Sequence, residues 1–193
     1  ADYMTTPYSW METNETGTRL TQGKKLLTNT TAAEASDSNF KFDFMDGAYN
    51  GSGASNYIGY MWKRAKGYMD VVCYSGSGSA TTVPHSLGVP PEMIWCKRRS
   101  TSRDWNVYAA PLGNNKIREL NTSEAFITSS SWNNTDPTST VFSVSGGSDN
   151  NSSGDTYIAF LFATLAGISK VGSYTGNGSN QTIDCGFSAG SRF

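Results

Sequence analysis

The chain has 193 residues, enough for one large domain or two small ones. Charged residues make up only 16% and the formal net charge is −1, whereas 26 Ser, 21 Thr and 15 Asn supply most of the polar groups. The longest basic run is 97–99, which argues against binding nucleic acid through phosphate contacts, and no window approaches the roughly 18 apolar residues of a membrane span. A chain rich in aromatic and turn-forming residues favours an all-β protein.

The predicted elements are short strands separated by turns, with no convincing helical period beyond one turn at most in residues 30–35. Tyr57–Trp62 and Tyr157–Phe162 are apolar throughout, which predicts central strands buried on both faces. Residues 82–87 alternate, so Val83, His85 and Leu87 share one face. The expected fold is an antiparallel β-sandwich, with laminin-G-like (concanavalin) and jelly-roll topologies both open. The predicted strands are 57–62, 68–74, 82–87, 92–98, 105–110, 116–120, 141–144 and 157–162.

The chain repeats itself with an offset of 100 residues. Comparing Tyr57–Val83 with Tyr157–Ile183 gives nine identities in 27 ungapped positions, including several Gly and Tyr residues. With small gaps the match extends upstream, where Phe42 and Phe44 correspond to Phe142 and Val144. A period this long predicts tandem domains rather than a short-repeat solenoid.

The repeat divides the chain into three parts. Residues 1–66 are predicted to be the later part of one β-sandwich repeat, 67–166 a complete repeat, and 167–193 the opening strands of a further repeat. Two hypotheses explain the partial copies: the chain is a piece of a longer polypeptide, or the partial copies combine, within one chain or between subunits, into one closed domain.

Cysteine and histidine give no catalytic or metal-binding signal. Cys73, Cys96 and Cys185 have no C-x-x-C spacing, so buried free thiols are expected rather than a zinc site. His85 is the only histidine, and its counterpart in the other copy is Cys185. A half-buried core histidine is therefore predicted, and we expect no metal, no cofactor and no enzymatic activity.

Two polar segments nevertheless suggest alternatives. A carboxylate pair would make the protein a glycosidase, but none of the six Glu residues lies in a recognisable motif. The loop 147–155 is rich in oxygen ligands and is a candidate calcium site, although a plain solvent loop is the favoured interpretation.

A candidate ligand site combines an aromatic turn with an arginine. Trp132, Asn133 and Asn134 stand in a turn where an indole face and amides suit a sugar, although Trp132 as core cover is the favoured alternative. Arg103, near Arg98 and Arg99, is either part of a solvated strand end or a contact for an anionic glycan.

The segments 156–162, 167–179 and 85–100, followed by Trp105 and 120–122, resemble a repeat of structural proteins of tailed phages, especially marine and cyanobacterial ones. These are laminin-G-like or lectin-like tandem domains of tail fibres and other virion-surface proteins. The resemblance covers nearly the whole chain but is weak over residues 1–56, and it transfers no catalytic residue. It implies a virion component exposed outside the cell.

The functional expectation is a phage virion structural protein, such as a tail fibre, an appendage or a capsid decoration, with host-surface carbohydrate as a candidate ligand. The expected partners are other virion proteins and further copies of the chain, a trimer if it is a fibre, with no nucleic acid and no membrane insertion. Two alternatives remain: a polysaccharide depolymerase on the same scaffold, and a calcium-dependent adhesin or lectin.

Overall fold

The structure is a computed structural model that describes residues 3–6, 23–37, 40–44, 47–50, 62–147 and 149–188. Its regular elements are β-strands, and the described residues contain no α-helix, only a 3-10 turn at Ala110–Leu112. The strands are β1 (Tyr3–Thr6), β2 (Gly23–Leu27), β3 (Ala35–Asp37), β4 (Phe40–Phe44), β5 (Gly47–Asn50), β6 (Met69–Ser75), β7 (Thr81–Pro84), β8 (Met93–Arg98), β9 (Asn106–Ala109), β10 (Lys116–Glu119), β11 (Ile127–Thr128), β12 (Val141–Val144) and β13 (Thr156–Phe162).

Six strands form one antiparallel sheet in the order β11-β10-β9-β8-β13-β6. β13 pairs along its whole length with β6, from Thr156 opposite Ser75 to Phe162 opposite Met69, and with β8 on its other side. Its residues 157–161 are buried on both faces of the sheet. The predicted central strand at 157–162 is therefore confirmed, while its counterpart at 57–62 lies outside the described residues except for Trp62, which is half exposed.

The front face of this sheet packs against a second, two-stranded antiparallel sheet made of β7 and β12. Side chains of β13 that point forward meet Val83, Phe142 and Val144 in a single apolar cluster. The alternation predicted for residues 82–87 explains this contact, because Val83 and Leu87 are buried and His85 is half-buried. The all-β antiparallel architecture expected from the sequence is confirmed.

The back face is covered by the N-terminal part of the chain. Ile158 and Phe160 of β13 pack with Trp105 and with Leu26 of β2. The indole Nε1–H of Trp105 donates to the backbone oxygen of Leu27 at 2.9 Å, which fixes this cover on the sheet. Elsewhere in the N-terminal part, β1, β2 and β3 form a three-stranded antiparallel sheet and β4 pairs with β5.

The strand β7 ends at Pro84 rather than at Leu87 as predicted. One further backbone bond follows, from His85 N to Thr140 O at 2.8 Å, and side chains then accept from the next two N–H groups: the Asp70 carboxylate from Ser86 N at 2.7 Å, and His85 Nδ1 from Leu87 N at 3.2 Å. The chain therefore turns while Leu87 stays in the core.

Two turns, 100 residues apart, have the same backbone hydrogen bonds. Ala65 exchanges bonds with Met69 and accepts from Tyr68, and Leu165 does the same with Ser169 and Ile168, at 2.9–3.1 Å in both. The first turn leads into β6 and the second leads away from β13. After the second turn, residues 170–188 form no strand, although their sequence matches that of β6 and β7. The reason is physical, because a strand needs a partner for its backbone groups.

Candidate functional site

Two loops meet at one end of the six-stranded sheet and carry a cluster of charged side chains. Since β8 ends at Arg98 opposite the start of β13, the loops 99–105 and 145–155 lie side by side. The first is rich in Ser and Thr and the second in Ser, Asn and Asp, residues whose side chains bond readily to nearby backbone groups and so favour turns over strands.

Two arginines of this cluster are used inside the fold. Arg98 pairs with Asp155 at 3.1 Å, donates to Ser152 Oγ at 2.6 Å and lies 5.6 Å from the centre of the Tyr157 ring. Arg99 donates from Nε and Nη2 to the two carboxylate oxygens of Glu34, at 2.8 and 3.1 Å. These side chains are mostly buried, so their main effect is to hold the loops and the N-terminal cover in place.

Arg103 is the accessible member of the cluster. Its Nε and Nη2 lie 2.7 and 2.6 Å from Oδ1 of Asp149, and both side chains are substantially exposed. Nearby, partial burial and the negative charges of Asp104 and Asp149 raise the pKa of the Glu119 carboxyl. The exposed guanidinium can donate to hydroxyl groups, and the neighbouring carboxylates can accept from them. This is the part of the cluster best suited to a polyhydroxyl ligand.

A buried amide lies beneath the loops. Asn151 accepts at Oδ1 from Ser77 N (2.7 Å) and donates through Nδ2 to the backbone oxygens of Ser79 (2.6 Å) and Ser145 (3.2 Å). It therefore ties the turn between β6 and β7 to the loop that precedes β13. The candidate calcium loop 147–155 thus has its amide at 151 engaged by protein, and its acids Asp149 and Asp155 paired with arginines.

The candidate sugar platform at Trp132 is wrong, because its indole is 1% exposed and lies in the front core. The ring contacts Tyr108 and Phe142 edge-on, with centroids 5.8 and 6.5 Å away. No face of the indole is accessible to a ligand. The alternative that Trp132 covers the core is the one that the structure supports.

The other proposed contacts do not converge with Arg103 either. Asn133 and Asn134 occupy a turn with left-handed backbone (φ 53° and 46°), which Asn tolerates better than most residues. Asp136 in the same loop accepts from Asn114, which follows β9, whereas Arg103 precedes β9. Asp136 therefore lies at the other end of β9 from Arg103, and Trp132 lies in the core between the sheets.

Lys97 is a buried cation that the sequence analysis missed. Its ammonium group donates to the backbone oxygens of Thr31 and Arg98, at 3.2 and 2.8 Å, under the N-terminal cover. Burial is the main cause that lowers its pKa to about 8. The alternation along β8, which places Lys97 on the same side as the half-buried Trp95, was the available signal.

His85 and Cys96 have structural environments. The Nε2 of His85 donates to Thr138 O at 3.1 Å while Nδ1 accepts from Leu87, so the ring is neutral, and burial lowers its pKa. Cys96 is buried with its sulfur 3.2 Å from the Tyr74 hydroxyl, and burial raises the pKa of the thiol to about 12. The expectation of a buried thiol is confirmed for Cys96, while Cys73 and Cys185 are half-buried.

Within the part of the chain that the structure describes, no group of three His, Cys, Asp or Glu side chains could hold a metal ion. That same part contains no helix long and apolar enough to cross a membrane. Among known proteins, residues 69–189 match the model of a family described as "Domain of unknown function (DUF7483)". No curated protein and no solved structure matches the chain.

Proposed function

This chain belongs to the DUF7483 family, and we propose that it is a structural protein on the surface of a tailed-phage virion, built from β-sandwich repeats with a period of about 100 residues. The observation that carries the proposal is the pair of equal turns, at 65–69 and 165–169, which have the same hydrogen bonds at equivalent sequence positions. The turn that follows the last strand of the sandwich has the same geometry as the turn that precedes its first strand. A second sandwich can therefore follow the first in the same way, so such units can be joined in series. The resemblance to tail-fibre and virion-surface repeats supports the same role.

The surface chemistry also supports exposure on a particle. Ser, Thr and Asn supply most polar groups, and the arginines at the loop end are each matched by a carboxylate. Such a surface is well hydrated and carries little net field, so it does not attract nucleic acid.

Within this role, we assign the contact with host carbohydrate to Arg103 and Asp149. They are the accessible ion pair of the loop cluster, with Asp104 and Glu119 close by. A sugar bound here would receive hydrogen bonds from the guanidinium and donate hydroxyl hydrogens to the carboxylates.

Immunogold electron microscopy of purified phage particles from the source of the sequence tests the virion role. Antibodies against the purified chain are expected to label fibres, appendages or the capsid surface, and mass spectrometry of the particles is expected to find the chain. Particles that lack both label and peptides would refute the role.

A glycan array tests the carbohydrate contact separately. Arg103→Gln is expected to reduce binding at least about tenfold, because the guanidinium supplies charge-assisted donors. Arg118→Gln, an exposed arginine on β10, is the matched control and should bind as the parent does. Equal binding by the parent and Arg103→Gln, or no binding to any glycan, would refute this assignment and leave the virion role standing.

A polysaccharide depolymerase is a second candidate, and one observation favours it. The raised pKa of Glu119, next to Asp104 and Asp149, is what the general acid of a glycosidase needs. Release of reducing ends from host polysaccharide, lost in Glu119→Gln, is the outcome expected of this candidate. Intact polysaccharide after prolonged incubation would dismiss it.

A further inference from the structure

The segment after the second turn has the sequence of two strands but pairs with no strand among the described residues. Residues 169–175 and 181–184 correspond to β6 and β7 by the offset of 100. In this segment Tyr174 is 70% and Ile183 43% exposed, whereas Val83, the counterpart of Ile183, is 3% exposed. Exposed apolar side chains in a strand-like sequence mark a surface meant to be covered.

The segment is nevertheless locally ordered. Asn177 Oδ1 accepts from Ser179 N at 2.9 Å, and Gln181 Nε2 donates to Thr175 O at 3.1 Å. The φ of Gly178 is 74°, against 73° for Gly78 in the turn between β6 and β7. The turn that would join the two strands is thus already formed, which lowers the conformational cost of pairing them.

The sandwich shows which strand the segment fits. β7 pairs with β12, with Val83 opposite Phe142 and Pro84 opposite Val141. β12 has one sequence counterpart among the described strands, β4, which pairs there only with β5. Shifting the observed register by 100 residues places Ile183 opposite Phe42, and Asp184 opposite Lys41. A directly opposed pair of opposite charges stabilises an antiparallel ladder, so the register is electrostatically favourable.

We propose that residues 169–188 of one copy add as two strands to a second copy of this chain, with residues 181–184 pairing along β4 of that copy and completing a second sandwich across the interface. This inference rests on the repeat proposed above and is independent of the virion role.

The arrangement of the chain favours exchange between two copies. Trp62, which leads toward β6, contacts Phe162 at the end of β13, with ring centroids 6.5 Å apart, and Ala163 N donates to Tyr68 O at 3.0 Å. The chain therefore enters the sandwich near residue 62 and leaves it after residue 163 at the same end. Two copies related by a two-fold axis at that end can each give a segment and receive one, which closes the assembly.

Hydrogen bonds fix the chain where the segment 169–188 leaves the sandwich. Glu92 Oε2 accepts from both the backbone N–H and the hydroxyl of Thr164, and the Thr164 hydroxyl accepts from Val171 N at 3.1 Å. These bonds fix the direction in which the segment 169–188 leaves the sandwich. Within its own copy it stays exposed, which is why the committed partner is a second copy rather than the same chain.

Cross-linking between copies that each carry one introduced cysteine, with Cys73→Ser and Cys96→Ser in every chain, tests the proposal. Phe42→Cys and Ile183→Cys are made in separate, differently tagged chains, both carrying Cys185→Ser to remove the neighbouring thiol. On mild oxidation, a disulfide-linked heterodimer of the two tags is expected. Chains carrying Thr135→Cys, in an exposed loop, in place of Phe42→Cys are the control and should yield no such product. Absence of the heterodimer overturns the proposal, and so does a purely intrachain disulfide when both cysteines are placed in one chain.

Light scattering gives a second measurement that needs no added cysteine. The parent chain is expected to dimerise and Ile183→Asp to dimerise at least tenfold more weakly. Ile127→Asp, at a 50% exposed position on β11, is the matched control and should dimerise like the parent. A parent chain that stays monomeric, or equal dimerisation of the two variants, overturns the proposal. Neither result alters the labelling of particles, so failure of this inference is distinguishable from failure of the virion role.

Discussion

Residues 69–84 and 169–184 share a sequence pattern but differ in structure. The first stretch forms β6 and β7, which pair with β13 and β12, and the second forms no strand. The two share glycines at the same places and nearly the same turn geometry. The difference indicates that this turn is encoded locally, whereas the strands beside it depend on the neighbour that completes the ladder.

The two stretches are expected to differ most in the loss of stability that follows when a charge is placed at equivalent positions. Val83→Asp puts a carboxylate in the front core and should destabilise the sandwich by more than about 4 kcal/mol. Ile183→Asp should change the free energy of unfolding by less than about 0.5 kcal/mol, because the site is exposed in a single copy. Urea unfolding followed by tryptophan fluorescence, at a concentration where the chain is monomeric, measures both. Equal destabilisation would mean that the second stretch is also part of a core.

A smaller difference is expected from adding one methyl group. A Cβ at Gly76 would lie 2.0 Å from the backbone oxygen of Ser152, whereas one at Gly176 would meet nothing within 4 Å. Gly76→Ala should therefore lower the free energy of unfolding by about 2 kcal/mol, since backbone must shift to admit it, and Gly176→Ala should leave it unchanged. Thermal unfolding of both variants under identical conditions checks this, and a stable Gly76→Ala would show that the loop at 152 yields easily.

The smallest difference involves one hydroxyl and its response to pH. Tyr74 donates to Asn150 O at 2.7 Å, so Tyr74→Phe should cost about 1 kcal/mol, whereas Tyr174→Phe should cost nothing in the monomer. Burial raises the pKa of Tyr74 well above 10.

The sign of the pH effect follows from this raised pKa. Above pH 10 the folded state keeps a proton that the unfolded state loses, so the stabilisation declines as the pH rises further. The free energy of unfolding of the parent should fall more steeply above pH 10 than that of Tyr74→Phe. Parallel pH profiles of the two proteins would contradict the burial of the hydroxyl.

Most strands of the sandwich could be predicted from the sequence, because their apolar patterns match their burial. β13 is apolar at successive positions since it lies between two layers, and residues 141–144 were predicted with their observed bounds as β12. The end of β7 could not be predicted, because it depends on the Asp70 carboxylate, which is distant in sequence from Ser86.

The candidate site was harder to predict than the fold. Trp132 stands in a turn among Ser and Asn, where core cover was the favoured interpretation and a ligand platform the alternative, and its burial depends on Tyr108 and Phe142 from other strands. Arg103 was a candidate from the start, but its partner Asp149 comes from a loop that only the pairing of β8 with β13 brings near. Pairings across the sheet carry information that spacing along the chain does not.

The hydrogen bonds that fasten Thr164 to Glu92 and Val171 to Thr164 have a mechanical consequence. These bonds make the connection by which the chain leaves the sandwich rigid rather than flexible. In an array of such units, torque applied to one unit would pass to the next, and the angle at the joint would set the pitch of the array. Stiffness along the array would then depend on two side chains and two backbone amides.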